Sequence, residues 1–255
     1  MGKRYKNPPL VEALCEFYFQ GSHWDDAVPG LLYEKIKPSY PQRRQLEQVG
    51  VKIDISAESE SITKKRGQPR IQFVSDDKSR LVQMAKDLLV VNHLKPYPQF
   101  EKWEPDIEAI LKEYVSLTQP SGIARFGVRY INNIVLPYTS IRMEDYFRIY
   151  PQLPEAVGQS HGPFMLRIEI PGKTTGHRFL ATFGNSAPQA PDSLAFMLDL
   201  YDIYDGGMPL ECKNIHDEIR KAHDNVETVF ESSITDKLRD LFEEVKNGDS
   251  NNGKS

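Results

Sequence analysis

The order of hydrophobic patterns in this chain runs twice, and that repetition restricts the fold more than any single motif does. Residues 10–20, LVEALCEFYFQ, place Val11, Ala13, Cys15, Phe17 and Phe19 on one side and Glu12, Glu16 and Gln20 on the other. A period of two with one apolar side marks a half-buried strand. Helical spacing follows over 25–37, with Leu31, Leu32 and Ile36, and stops at Pro38. Segments 49–56, 70–75 and 80–94 read as strands. Segment 100–117 reads as a helix whose apolar stripe is Trp103, Ile107, Ile110, Leu111, Tyr114 and Val115. Pro105 fits that helix only if it lies in the first turn.

The second half repeats the order: a strand over 122–136, a short helix near 142–149, strands over 163–170, 177–184 and 193–205, and a long helix from 214 to 245. Polar connections at 59–69 and 171–176 occupy comparable places as hairpin turns. Strands of this kind with helices gathered on one face predict a two-layer α+β fold. The expected sheet is antiparallel, with about eight strands and two long helices on one face, built from an internally duplicated βαβββα unit. The first unit spans 1–120 and the second 121–246. They fuse into one compact domain through a shared sheet, with the two first strands adjacent at a pseudo-twofold axis. The tail 247–255 has no apolar residue and is expected to be disordered.

Composition supports a folded chain, because 39% apolar and 10% aromatic residues supply the burial that offsets ordering entropy. No stretch approaches the roughly 20 apolar residues needed to cross a bilayer, and the opening residues run into Pro8 and Pro9 rather than an apolar signal core. A cytoplasmic protein with no membrane association is expected. Cys15 and Cys212 lack a CxxC partner and are read as reduced thiols. The net charge is −4, with a near-neutral first half and an acidic second half, which weighs against a duplex-binding surface.

The sharpest polar pattern is residues 125–133, RFGVRYINN, in which Arg125, Gly127, Arg129 and Ile131 share one side and Phe126, Val128 and Tyr130 the other. Two arginines on one side need anions. If the first strands pair, Glu12 and Glu16 lie within cross-strand reach and supply them; the alternative is a groove for a phosphate or carboxylate. Residues 64–70, KKRGQPR, form a basic cluster expected at a hairpin tip. Gly172-Lys173-Thr174 imitates the end of a P-loop but lacks the upstream glycine and the strand-to-helix context.

His216 and His223 fall two turns apart on one helix side, about 10 Å at 1.5 Å per residue. Ile219 and Arg220 offer no bridging ligand, so no metal site is assigned. Asp199, Asp202 and Asp205 are read as edge and turn residues. No nucleophile motif, catalytic set or cofactor-binding fingerprint is found, so no catalytic residue and no cofactor is assigned, and the balance lies against an enzyme.

Four blocks, NPPLVEALCEFYF at 7–19, RLVQMAKDLLVVNHLKPYPQFEKW at 80–103, RFGVRYINNI at 125–134 and HDNVETVFESSITDKLRDLF at 223–242, together resemble a sporadically distributed family of prokaryotic proteins of similar length with no assigned activity. The resemblance spans nearly the whole chain. Such patchy occurrence implies mobile cargo such as defence or toxin–antitoxin modules. Among the matching positions, Trp103, Gly127 and Thr235 have packing or capping explanations. Gln83, Asp87, Asn92, Arg125, Arg129 and Asn132, joined by Glu12, are harder to explain by packing and form the candidate binding set.

Three functions are expected from these features. The first is a non-catalytic interaction protein, an antitoxin or accessory subunit of a defence or stress module, that binds a partner protein encoded nearby. The second is a sensor holding an anionic small molecule or nucleotide on the concave sheet face through Arg125 and Arg129. The third is a single-stranded nucleic-acid module using Tyr130 as a stacking platform. Edge strands left at the ends of the sheet also allow a homo-oligomer.

Overall fold

The protein is described here by a computed structural model covering residues 3–46, 49–56, 59–66, 69–157, 162–172, 175–188, 190–210 and 215–245, with 49–56 and 59–66 described by backbone alone. Residues 10–94 form β1 (Leu10–Gln20), α1 (Val28–Ile36), β2 (Gln42–Leu46), β3 (Val49–Ser56), β4 (Ser59–Arg66), β5 (Arg70–Val74), β6 (Arg80–Ala85) and β7 (Leu88–Leu94). Then come α2 (Phe100–Thr118), β8 (Gly122–Leu136), β9 (Met165–Pro171), β10 (His177–Asn185), β11 (Leu194–Tyr204), α3 (Ile215–Ser233) and α4 (Asp236–Phe242). Nine strands form one antiparallel sheet in the order β2-β5-β6-β7-β1-β8-β11-β10-β9, and β3 pairs with β4 in a separate ribbon.

Several sequence expectations change. The segment 59–69, expected as a hairpin connection, contains β4, which pairs along its length with β3. Residues 80–94 are two strands, because Asp87 adopts a φ of 60° and reverses the chain between Ala85 and Leu88. Aspartate tolerates that left-handed region better than most residues. The short helix expected near 142–149 is a single 3₁₀ turn at Met143–Asp145. The long C-terminal helix is two helices, broken where the Thr235 side chain caps α4 by accepting from the Leu238 amide. Pro105 sits beyond the first turn of α2, where it removes the amide that would bond the Glu101 carbonyl. The tail 247–255 and Cys212 lie outside the described residues.

The chain divides into two compact units, one of residues 14–126 and 207–212, the other of 1–13, 127–206 and 213–255. In the first, the apolar side of β1 meets α2: the Phe19 and Tyr114 rings stack at 4.7 Å, and the Tyr114 hydroxyl donates to the Ala85 carbonyl. Phe17, Phe126 and Ile107 are fully buried there. Each such side chain contributes roughly 1.5–3 kcal/mol relative to exposure. Trp103, also buried, anchors α2 as its sequence position suggests. The opposite side of β1 carries a smaller apolar cluster of Leu14, Ala85, Leu88 and Val90, with Tyr18 against it.

In the second unit the core is built on Phe147, Phe183 and Phe196, whose rings lie 4.7–5.7 Å apart. The buried stripe of α3, Ile219, Ala222 and Val226, faces β11. The extended N-terminal segment hydrogen-bonds to the end of α4, with the Lys6 and Asn7 amides donating to the Glu243 and Phe242 carbonyls. No helix among the described residues is long and apolar enough to cross a membrane.

Candidate functional site

Alternation along β8 sends its side chains to two environments. Phe126, Val128, Tyr130 and Asn132 are buried, whereas Arg125, Arg129 and Ile131 are half-exposed on the other side. Gly127 lies between the arginines because the Tyr201 ring closes over it. A Cβ there would stand 2.4 Å from Tyr201 Cε2 and 2.6 Å from the Asp202 carbonyl oxygen.

Arg129 is held as a fork. Its Nε and Nη2 donate to Oδ1 and Oδ2 of Asp199 at 2.7 and 2.5 Å, and the guanidinium lies 5.8 Å from the centre of the Tyr201 ring. Arg129 is thus paired within the chain, and the carboxylate seen on it is Asp199 of β11, which the sequence reading did not offer as a partner. Asp199 is buried in the middle of the sheet, so its assignment as an edge residue is corrected. Arg125 lies 3.9 Å over the Tyr18 ring, with its Nη2 3.9 Å from Glu16 Oε1. Cation–π contact of this kind is worth about 0.5–1 kcal/mol at an exposed site. Glu12 is half-buried on β1.

The remaining candidate residues also have bonds within the chain. Gln83 donates from Nε2 to Oδ1 of buried Asn92 at 3.2 Å. Asp87 accepts from the Ser22 amide at 2.9 Å and so ties the β6–β7 turn to the residues after β1. Asn132 donates to the Leu198 carbonyl on the buried side of β8, away from the arginines. Gln83, Asp87, Asn92 and Arg125 belong to one unit, and Glu12, Arg129 and Asn132 to the other.

Sequence reasoning missed a buried charge network. The His177 ring, fully enclosed, has Nδ1 2.5 Å from Asp202 Oδ1 and Nε2 3.1 Å from Glu218 Oε2. Asn225 donates to the other Asp202 oxygen, and Lys221 to the other Glu218 oxygen. Burial alone would lower the imidazole pKa, but the bonds to Asp202 and Glu218 outweigh it and raise the value. Asp202 is thus a core residue rather than the turn residue expected. Asp202 and Glu218 lie 25 and 41 residues from His177 along the chain, and no local pattern advertises such a set.

Tyr130, named above as a stacking platform, is buried with its hydroxyl 2.7 Å from His223 Nδ1. It presents no face to a base. The other nitrogen of His223 lies 3.5 Å from Glu227. His223, Asp224 and Glu227 bring ligand-type atoms within 4.8 Å of one another, a spacing missed because only His216 was weighed against His223. Burial pushes the Cys15 thiol well above its ordinary pKa, which keeps it an unreactive core group. The side chains of 64–66 and residues 67–68 lie outside the described residues, as do Lys173 and Thr174; Gly172 closes the β9–β10 hairpin by donating to the His177 carbonyl.

The exposed apolar surface gathers elsewhere, on β9. Met165, Ile168 and Ile170 are 71%, 37% and 44% exposed, and β9 is the last strand of the sheet. At its two ends the Phe164 carbonyl accepts from the Asn185 amide of β10, and the Gly172 amide donates to the His177 carbonyl. Because direction alternates along a strand, Leu166, Ile168 and Ile170 also turn their backbone groups toward β10. Met165, Arg167 and Glu169 therefore turn theirs outward. No family model matches the chain, and no curated protein matches it.

Proposed function

We propose that this protein is a non-catalytic interaction protein that binds a partner protein by strand addition at β9. The observation that carries the proposal is the outer edge of β9, where outward-facing backbone groups of Met165, Arg167 and Glu169 coincide with three exposed apolar side chains. Natural edge strands are usually short, charged or covered, and an apolar one offers main-chain bonds for affinity and alternate side chains for specificity.

The internal partners of the arginines support this reading over an anion sensor. Arg129 already has the bidentate carboxylate that an anionic ligand would have to displace. Membership of the sporadic prokaryotic family, with a role as accessory subunit of a defence or stress module, belongs to the same proposal. So does the duplicated two-layer architecture. It is supported by the strand order, in which β7, β6 and β5 run outward from β1 as β11, β10 and β9 run outward from β8.

The test is capture of bound polypeptides from the native cells by tagged wild-type protein and by an Ile168→Lys variant. A stoichiometric polypeptide held by the wild type and lost from the variant is the expected result. Equal capture by both, with the variant folded, would remove β9 from the binding surface.

A further inference from the structure

The sequence of β9 reads as its own complement. Reversed about Ile168, the strand places Arg167 opposite Glu169 and Leu166 opposite Ile170. From this we infer that the partner of β9 is a second copy of the same chain, joined antiparallel across a twofold axis through Ile168. The inference rests on β9 being the binding edge.

The backbone parity agrees with that register. Ile168 turns its amide and carbonyl toward its own β10, so at the axis it meets its counterpart as a non-hydrogen-bonded pair, the closer of the two antiparallel spacings at about 4.5 Å between Cα atoms. Arg167 and Glu169 turn theirs outward and, being opposite each other across the axis, exchange amide–carbonyl bonds. A register shifted by one residue would set inward-facing groups against outward-facing ones and lose these bonds.

The side chains agree as well. Leu166, Ile168 and Ile170 lie opposite the buried Phe183, Ala181 and Phe179 of β10, so they extend the buried side of the sheet past its last covered strand. In the pair, Leu166 of each copy meets Ile170 of the other around the two Ile168 side chains. The other side places Arg167 of each copy beside Glu169 of the other, next to the Arg178 that already lies 3.4 Å from Glu169. Opposite charges directly across a strand pair favour this register, and like charges there disfavour it.

Sedimentation of the full chain across a wide concentration range tests the inference, with two sets of variants. A concentration-dependent dimer is expected for the wild type. Arg167→Glu and Glu169→Arg should each weaken it by about tenfold or more, and the double exchange should restore it. Because both side chains are exposed, these variants keep the fold. Ile168→Cys should give a covalent dimer on mild oxidation, the Cα spacing being within disulfide range. Ile170→Cys should not, since its counterpart lies about four residues away along the paired strands.

A wild type that stays monomeric overturns the inference, as does a dimer indifferent to both charge reversals or cross-linked equally through Cys at 168 and 170. If the wild type is monomeric while Ile168→Lys still abolishes capture of another polypeptide, β9 remains the binding edge and only the second-copy partner is lost.

Discussion

Arg129 and Asp199 form a two-pronged ion pair between neighbouring strands, with Nε and Nη2 each on its own carboxylate oxygen. The aspartate is buried and the arginine keeps a partly open outer side. The cost of removing one partner is therefore asymmetric, because an orphaned buried carboxylate loses more than an orphaned half-exposed guanidinium.

Arg129→Ala should lower stability by about 1.5–3 kcal/mol, the range for a hydrogen bond to a charged group. Arg125→Ala, which loses the contact with Tyr18 and a long approach to Glu16, should cost about 1 kcal/mol or less. Urea denaturation of both variants measures the difference. Equal losses, or a wild type strongly stabilised by inorganic phosphate and an Arg129→Ala variant that is not, would favour the anion-site alternative.

His177 makes stability depend on pH with a definite sign. Its pKa is raised above the ordinary 6.5, so its contribution is complete below that value and is lost as pH rises through the folded-state pKa. Glu218 works oppositely. Burial raises its pKa, but bonds from Lys221 and His177 overcome this and hold it below the ordinary 4.5. Its contribution is present above 4.5 and lost as pH falls through the lowered value. The pair thus stabilises most between these two pH values, and the melting temperature should decline above pH 6.5. His177→Gln should flatten that decline, while His177→Ala, which takes the cationic partner from buried Asp202 and from half-buried Glu218, should cost about 3 kcal/mol. An unaltered alkaline decline in His177→Gln contradicts the assignment.

Gly127→Ala tests the packing that frames the Arg129 fork. The added methyl meets the Tyr201 ring and a backbone carbonyl, and only the ring can give way. Destabilisation of about 1–3 kcal/mol is expected, the range for overpacking. Pairing Gly127→Ala with Tyr201→Ala should recover part of the loss from the glycine change, since the pair shares one contact; strict additivity in denaturation would deny it.

The adjacency of β1 and β8 was legible because both alternate over most of their length, but β8 opens a run of three strands before its long helix whereas β1 is followed by six. The β6–β7 turn left only Asp87 as a signal, with no glycine or proline, and β2 is too polar to read as a strand. The break between α3 and α4 was legible in Thr235 as a cap but not as a boundary. Of the candidate site, the arginine side of β8 followed from alternation, but the partner of Arg129 did not. Asp199 lies 70 residues away, and its choice over nearer carboxylates depends on strand order. The palindrome in β9 was in plain view; its importance needed the knowledge that β9 is an edge and which way its backbone groups turn.

The most direct test of β9 as a binding edge uses Glu169→Pro. The Glu169 amide faces away from β10, so proline there spares the β9–β10 ladder while removing a donor from the outer edge. Bound polypeptide, whether a second copy or another chain, is quantified by mass on tagged wild type and variant side by side. Strand addition predicts a variant that melts close to wild type and holds little or no partner. Undiminished binding by a variant that melts like the wild type would contradict the account.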